Sequence, residues 1–182
     1  MHMSPKFLAA GILATMLATA ASAQVVNGDF QSGYVGWSAT GCAAVTGGGG
    51  NPGACGVVQY LNTGTSCTGT LSQTFNCGAA GGSCQITFDW RLDQLAGSGA
   101  AIFGMTADGG ATWPFSAAGA SAGWQQATVT LPCGPQTITF TQYDGTRTLQ
   151  DWEFRVDNVA AVCVDPVASE PGTWSRVKAL YR

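Results

Sequence analysis

Between Gln85 and Asp93 the chain alternates: Ile86, Phe88, Trp90 and Leu92 are apolar, and Thr87, Asp89, Arg91 and Asp93 between them are polar or charged. Side chains two apart share a strand face, so this segment buries one face and presents charge on the other. The alternation recurs at Ala127, Val129 and Leu131, at Ile138 and Phe140, and at Phe154 and Val156. Gly-rich breaks at 46–53, 78–82, 97–99, 108–110 and 144–145 separate the runs. Nothing between residues 24 and 165 reads as a long amphipathic helix. Many short strands punctuated this way predict an all-β fold, an antiparallel two-sheet jelly-roll β-sandwich. Trp37, Trp90 and Trp124 are expected in its core.

The first residues read differently. Lys6 precedes an apolar run from Phe7 to Ala20 and the small residues Ala21, Ser22 and Ala23. This is the pattern of a signal peptide over 1–23, cleaved before Gln24, and it predicts a secreted protein. The run is too short to span a bilayer, and no second one follows, so no membrane insertion is expected. Residues 24–164 are read as one domain. Residues 165–182 are read as a linker, with Pro166 and Pro171, and a tail from Thr173 to Arg182. Trp174, Val177 and Leu180 of that tail share a helical face among Arg176, Lys178 and Arg182, which makes it a candidate docking segment or a frayed end.

All seven cysteines follow the leader. An exported chain predicts disulfides, and the absence of a C-x-x-C pair argues against a metal cluster. Pairing the strand around Ile138 with the strand around Phe154 would bring Cys133 to Cys163. Cys77 and Cys84 flank a Gly-rich turn and form a second expected pair. Cys42 with Cys55 is the third, leaving Cys67 odd, although Cys55 with Cys67 or with Cys77 is also open.

Beyond the leader, six basic residues stand against ten acidic ones, a net charge of −4. That balance excludes a phosphate-neutralising nucleic-acid surface.

Several strings occur in a telling order: Val26 to Phe30, Gly36-Trp37, Leu71 to Phe75, Ile86 to Trp90, Gly123 to Gln125, and Phe154 to Val159. In this order they resemble the galactose-binding-like jelly-roll modules found among bacterial carbohydrate-binding domains. The cysteine content, and the Cys77 to Cys84 segment in place of a Gly-Tyr-type turn, depart from that pattern. The resemblance implies two antiparallel sheets with the N- and C-terminal strands adjacent, and carbohydrate as the ligand. It also implies a structural Ca²⁺ near the termini, with Asp157 resembling the family's C-terminal carboxylate and Asp29 in the opposing motif; hard oxygen donors suit that ion. Alternatively, Asp157 and Asn158 form a bulge held by side-chain to backbone bonds.

The only histidine is His2, inside the leader, and no G-x-S-x-G elbow occurs. Catalysis would have to rest on carboxylates. Asp89, Asp93 and Glu153 each stand beside Arg91 or Arg155, which stabilise ionised carboxylates and oppose acid catalysis. A non-enzymatic binding face is the simpler reading: Asp89, Arg91, Glu153 and Arg155 as planar polar groups, edged by Tyr60, Trp113, Tyr143 and Trp152. The alternative is an assembly protein that contacts partners through its tail or its odd cysteine.

Overall fold

A computed structural model describes residues 25–61, 67–78, 81–96, 101–107, 112–117, 120–143 and 151–164; within these, the side chains of 60, 101, 112–117, 142 and 143 are not described. The expected leader over 1–23, the 165–182 tail and its docking expectation lie outside the described residues.

Among the described residues eleven strands form two antiparallel sheets. The first has the order β1 (Ser38–Thr40), β5 (Thr70–Cys77), β10 (Gly134–Tyr143), β7 (Ala101–Ala107) and β8 (Thr112–Ala117). The second runs β2 (Ala43–Gly50), β3 (Gly53–Leu61), β11 (Asp151–Val164), β6 (Ser83–Ala96) and β9 (Gln125–Pro132), with β4 (Cys67–Thr68) paired to β3. The predicted β-sandwich is the fold found. Among the described residues no helix is long and apolar enough to cross a membrane.

The core lies where the alternating faces meet. Ile86, Phe88, Trp90 and Leu92 of β6 and Trp152, Phe154 and Val156 of β11 face Leu71 and Phe75 of β5, Ile138 and Phe140 of β10, and Phe103 and Met105 of β7; all are buried. Phe103 stacks on Phe154 with centroids 5.3 Å apart, and Phe88 meets Phe140 edge-on at 5.1 Å, so both aromatic contacts bridge the sheets. Burying each such ring contributes about 1.5–3 kcal/mol.

The N-terminal strings quoted above converge here. Gln73, buried in β5, accepts from the Val26 amide at 2.7 Å and donates to its carbonyl at 2.8 Å. Trp37 donates its indole N–H to Asn27 O at 3.0 Å and packs on Phe30 at 4.9 Å. Val159 N–H of β11 donates to Gly28 O at 2.9 Å, which ties the N-terminal turn to the last strand. A Cβ on Gly28 would lie 1.9 Å from Val159 O, so only glycine admits that contact.

The disulfides correct two of three expected pairs. Cys77–Cys84 forms, but as a link between the sheets and not within a hairpin, because β5 and β6 belong to different sheets. Cys133–Cys163 does not form: β10 pairs with β5 and β7, and β11 with β3 and β6, so the assumed β10–β11 hairpin is absent. Cys42 bonds Cys67 instead of Cys55. In the β2–β3 pairing Cys55 lies opposite Thr46, whereas Gln59 N–H donates to Cys42 O, which places Cys42 at the far end beside β4.

Candidate functional site

The two outer faces differ in chemistry. On the first sheet, register places Thr40, Thr70 and Thr141 in one row and Ser38, Ser72, Thr139 and Thr106 in the next, with no charge on the described side chains. On the second, Arg155 of β11 pairs with Arg91 of β6 on one side and Val57 of β3 on the other. Glu153 lies opposite Asp93 and Gln59, and Asp157 opposite Asp89. The alternation read from the sequence therefore delivers Asp89, Arg91, Glu153 and Arg155 to one surface, as expected.

Two arginines directly opposite would repel. Asp93 separates them. Arg91 donates to it from Nε at 2.9 Å and Nη2 at 2.7 Å, and Arg155 Nε lies 3.1 Å from the same oxygen. Arg155 Nη2 approaches Glu153 Oε1 at 2.5 Å, and Gln59 Nε2 donates to Glu153 Oε2 at 2.7 Å. Hydrogen bonding to Asp93 pushes the Arg91 guanidinium above its usual range, against the opposing effect of burial. Glu153 is buried although charged. Its Oε1 and Arg155 Nε lie at ion-pair distance from partners yet off hydrogen-bond geometry, leaving one acceptor and one donor unsatisfied inside the cluster.

The β2–β3 hairpin folds over one end of this face. Asn51 N–H donates to Asp157 Oδ2 at 2.5 Å, and Asn51 Nδ2 to Asp89 Oδ2 at 3.2 Å. Asn158 Nδ2 donates to Asn51 O and to Asp89 Oδ2, and Gln126 to Asp89 Oδ1. At Gly49 (φ +85°) a Cβ would lie 1.9 Å from Arg155 Nη1, so the run of glycines lets the hairpin touch the arginine. Beneath it Cys55 is fully buried, 3.5 Å from Thr46 Oγ1, and burial pushes its thiol pKa up.

Asp157 and Asn158 do form a bulge. Asn158 takes φ +51°, its N–H donates to Asp157 Oδ1 at 2.7 Å, and the β11–β6 register shifts there. The extra residue switches faces: Trp152, Phe154 and Val156 point inward before it, and Val159, Ala161 and Cys163 after it. Asp157 has no exposed surface, and burial pushes its carboxyl upward, with Asp89 and Asp29 adding to the rise. For Ca²⁺ the donor types fit, since a dication would offset that rise and each carboxylate oxygen of Asp157 keeps acceptor capacity. Asp29 Oδ1 already accepts from Gln31 N–H at 3.3 Å. Further donors would have to be backbone carbonyls, because no group of three acidic, Cys or His residues gathers among the described residues.

The expected aromatic rim is corrected at Trp152. Trp152 is fully buried, as it must be if Glu153 and Arg155 point outward. Trp113 on β8 and Tyr143 on β10 are register partners of Met105 and Ile102 in the first sheet, not the sheet of the charged face. Their side chains, and that of Tyr60, lie outside the described residues. Among the described side chains Trp124, expected in the core, stands beside the face. It is half-buried, and the Arg91 guanidinium carbon lies 5.7 Å from its ring centre. Trp124 directly precedes β9, whose Gln125 pairs with Trp90, so it emerges beside Arg91. Sequence reasoning also missed Gln59, Asn51 and Cys55. Only the Gly-rich run before Asn51 signalled a close approach.

Fold and face define a β-sandwich with one neutral hydroxyl-bearing face and one charged face of planar polar groups. Among solved structures, the K3 cleaved adhesin domain of Lys-gingipain from Porphyromonas gingivalis w83 is 17% identical, with 76% of this chain and 98% of that one covered and a TM-score of 0.53. TmCBM61 in complex with beta-1,4-galactotriose is 18% identical over 78% of this chain and 97% of that one, with a TM-score of 0.47. The family 11 carbohydrate-binding module of a cellulosomal cellulase of Clostridium thermocellum is 15% identical over 82% and 99%, with a TM-score of 0.46. At these identities the likeness is one of fold. No protein-family model matches the chain, and no curated protein matches its sequence.

Proposed function

We propose that the outer face of β3, β11 and β6 binds carbohydrate without catalysing a reaction. The observation that carries this is the Arg155–Glu153 ion pair set among planar polar groups on one outer face. A hydroxyl supplies one donor and acceptor capacity together, so a sugar hydroxyl bonds carboxylate and guanidinium groups alike. The Arg155 side chain is about a fifth exposed and is the more accessible member of the pair. Arg91, Asp93 and Gln59 extend the planar polar surface, and Trp124 supplies an aromatic edge for the C–H face of a sugar ring. Arginine or amide donors engage Asp89, Asp93 and Glu153, which sets these carboxylates as hydrogen-bond acceptors within a polar surface. The test is a glycan array followed by affinity electrophoresis in the retained polysaccharide. Arg91→Ala and Trp124→Ala, each confirmed folded, should weaken retention about tenfold or more, the loss expected for a charge-assisted hydrogen bond. No retained glycan, or retention unchanged in both variants, overturns the reading.

The same proposal includes secretion, with residues 1–23 as a cleaved leader, and a Ca²⁺ held by Asp157 and Asp29. N-terminal sequencing of the exported protein should begin at Gln24. Adding Ca²⁺ to chelator-treated protein should raise its melting temperature, and an unchanged value removes the ion.

A further inference from the structure

Cys77 and Cys84 are bonded, and Cys163 stands against the bond. Its Sγ lies 2.9 Å from Cys77 Sγ, and its Cα is the direct register partner of Cys84 on the adjacent strand. All three residues are buried, so the contact is internal to the sandwich. Two of these three sulfurs can be bonded at a time, and Cys77 touches both of the others.

We propose that this is a thiol–disulfide exchange site, at which Cys77 alternates between Cys84 and Cys163. The Cys163 thiol gives up its proton, and its sulfur attacks Cys77 Sγ. The Cys77–Cys84 bond breaks as the Cys77–Cys163 bond forms, and Cys84 leaves as a thiolate that takes a proton. One disulfide and one thiol are present before and after, so no oxidant or reductant is consumed. Both forms staple the first sheet to the second, because β6 and β11 are neighbours in the second sheet. They differ in what they close: the first joins residues 7 apart, the second residues 86 apart. The second form anchors the end of β11, the strand that also carries Glu153, Arg155 and Asp157.

The test is disulfide mapping of the full chain, folded without denaturant and held above neutral pH, then acid-quenched, alkylated and digested without reduction. The expected result is two linked peptides from one preparation, Cys77 with Cys84 and Cys77 with Cys163, the second lost in Cys163→Ser. In a glutathione redox buffer, Cys84→Ser should form Cys77–Cys163 while glutathione disulfide is reduced. A single Cys77–Cys84 linkage in the unmutated chain overturns the proposal, a result that does not depend on any variant folding. Capture of Cys133 by Cys77 in Cys84→Ser overturns it equally, since Cys163 would then not be the exchange partner.

Discussion

Asp93→Asn tests whether the charged face is held by its own ions. The carboxylate lies between Arg91 and Arg155, which occupy directly opposed positions on neighbouring strands. The substitution keeps the shape and removes the charge. It weakens a forked hydrogen bond from Arg91 and an ion contact from Arg155, and leaves two cations facing each other across the ladder. The three side chains are 21–28% exposed, which screens them less than open-surface pairs. Exposed pairs are worth about 0.2–1 kcal/mol, and hydrogen bonds to charged groups about 1.5–3 kcal/mol. Two contacts of intermediate exposure, together with the uncovered repulsion, amount to about 2 kcal/mol. For a domain of this size that lowers the melting temperature by about 4–8 °C. Urea unfolding should show the midpoint fall with m unchanged, and high salt should shrink the difference. A double-mutant cycle with Arg155→Ala should return a coupling energy. A loss under about 0.5 kcal/mol, within the range of exposed pairs, refutes the view that Asp93 organises the face.

Three further outcomes follow from packing and linkage. Replacing Cys42 and Cys67 by serine opens a link between residues 25 apart and should cost about 3–4 kcal/mol, against about 2–3 kcal/mol for opening the 7-residue Cys77–Cys84 link, compared by chemical denaturation of the two double variants. Gly28→Ala drives a Cβ into Val159 O and should cost about 2–3 kcal/mol, read as a drop in melting temperature. Because the Cys55 pKa is raised in the folded state, its contribution is complete below the ordinary thiol range and is lost as pH rises through the folded value. Stability should therefore decline above about pH 8.5 more steeply in the unmutated chain than in Cys55→Ala, and equal slopes would exclude the thiol.

The sandwich was legible because its strongest strand declares its parity. Once Phe88 and Trp90 are inward, Asp89 and Arg91 must be outward, and the structure agrees. Strand partners were not legible, since alternation says which way a side chain points and not which strand lies beside it. The expected Cys133–Cys163 pair failed for that reason. It assumed that neighbours in sequence are neighbours in a sheet, whereas β10 and β11 lie in opposite sheets.

The face shows a finer limit. Four of its charged members, Asp89, Arg91, Glu153 and Arg155, could be read because they alternate with core residues, but what they touch depends on register and on a hairpin folded across them. Trp152 reads as a rim aromatic only if strand parity is ignored; with Glu153 outward it has to be core. Trp124 fails in the opposite direction, because it sits one residue before its strand and inherits no parity from it. The bulge at Asn158 then reverses the parity of β11, so the strand presents Glu153, Arg155 and Asp157 outward and still buries Val159, Ala161 and Cys163. A strict alternation would put Cys163 on the outer face. The single inserted residue therefore both ends the charged surface and brings Cys163 against Cys77, coupling the strand's two chemistries through one break in its period.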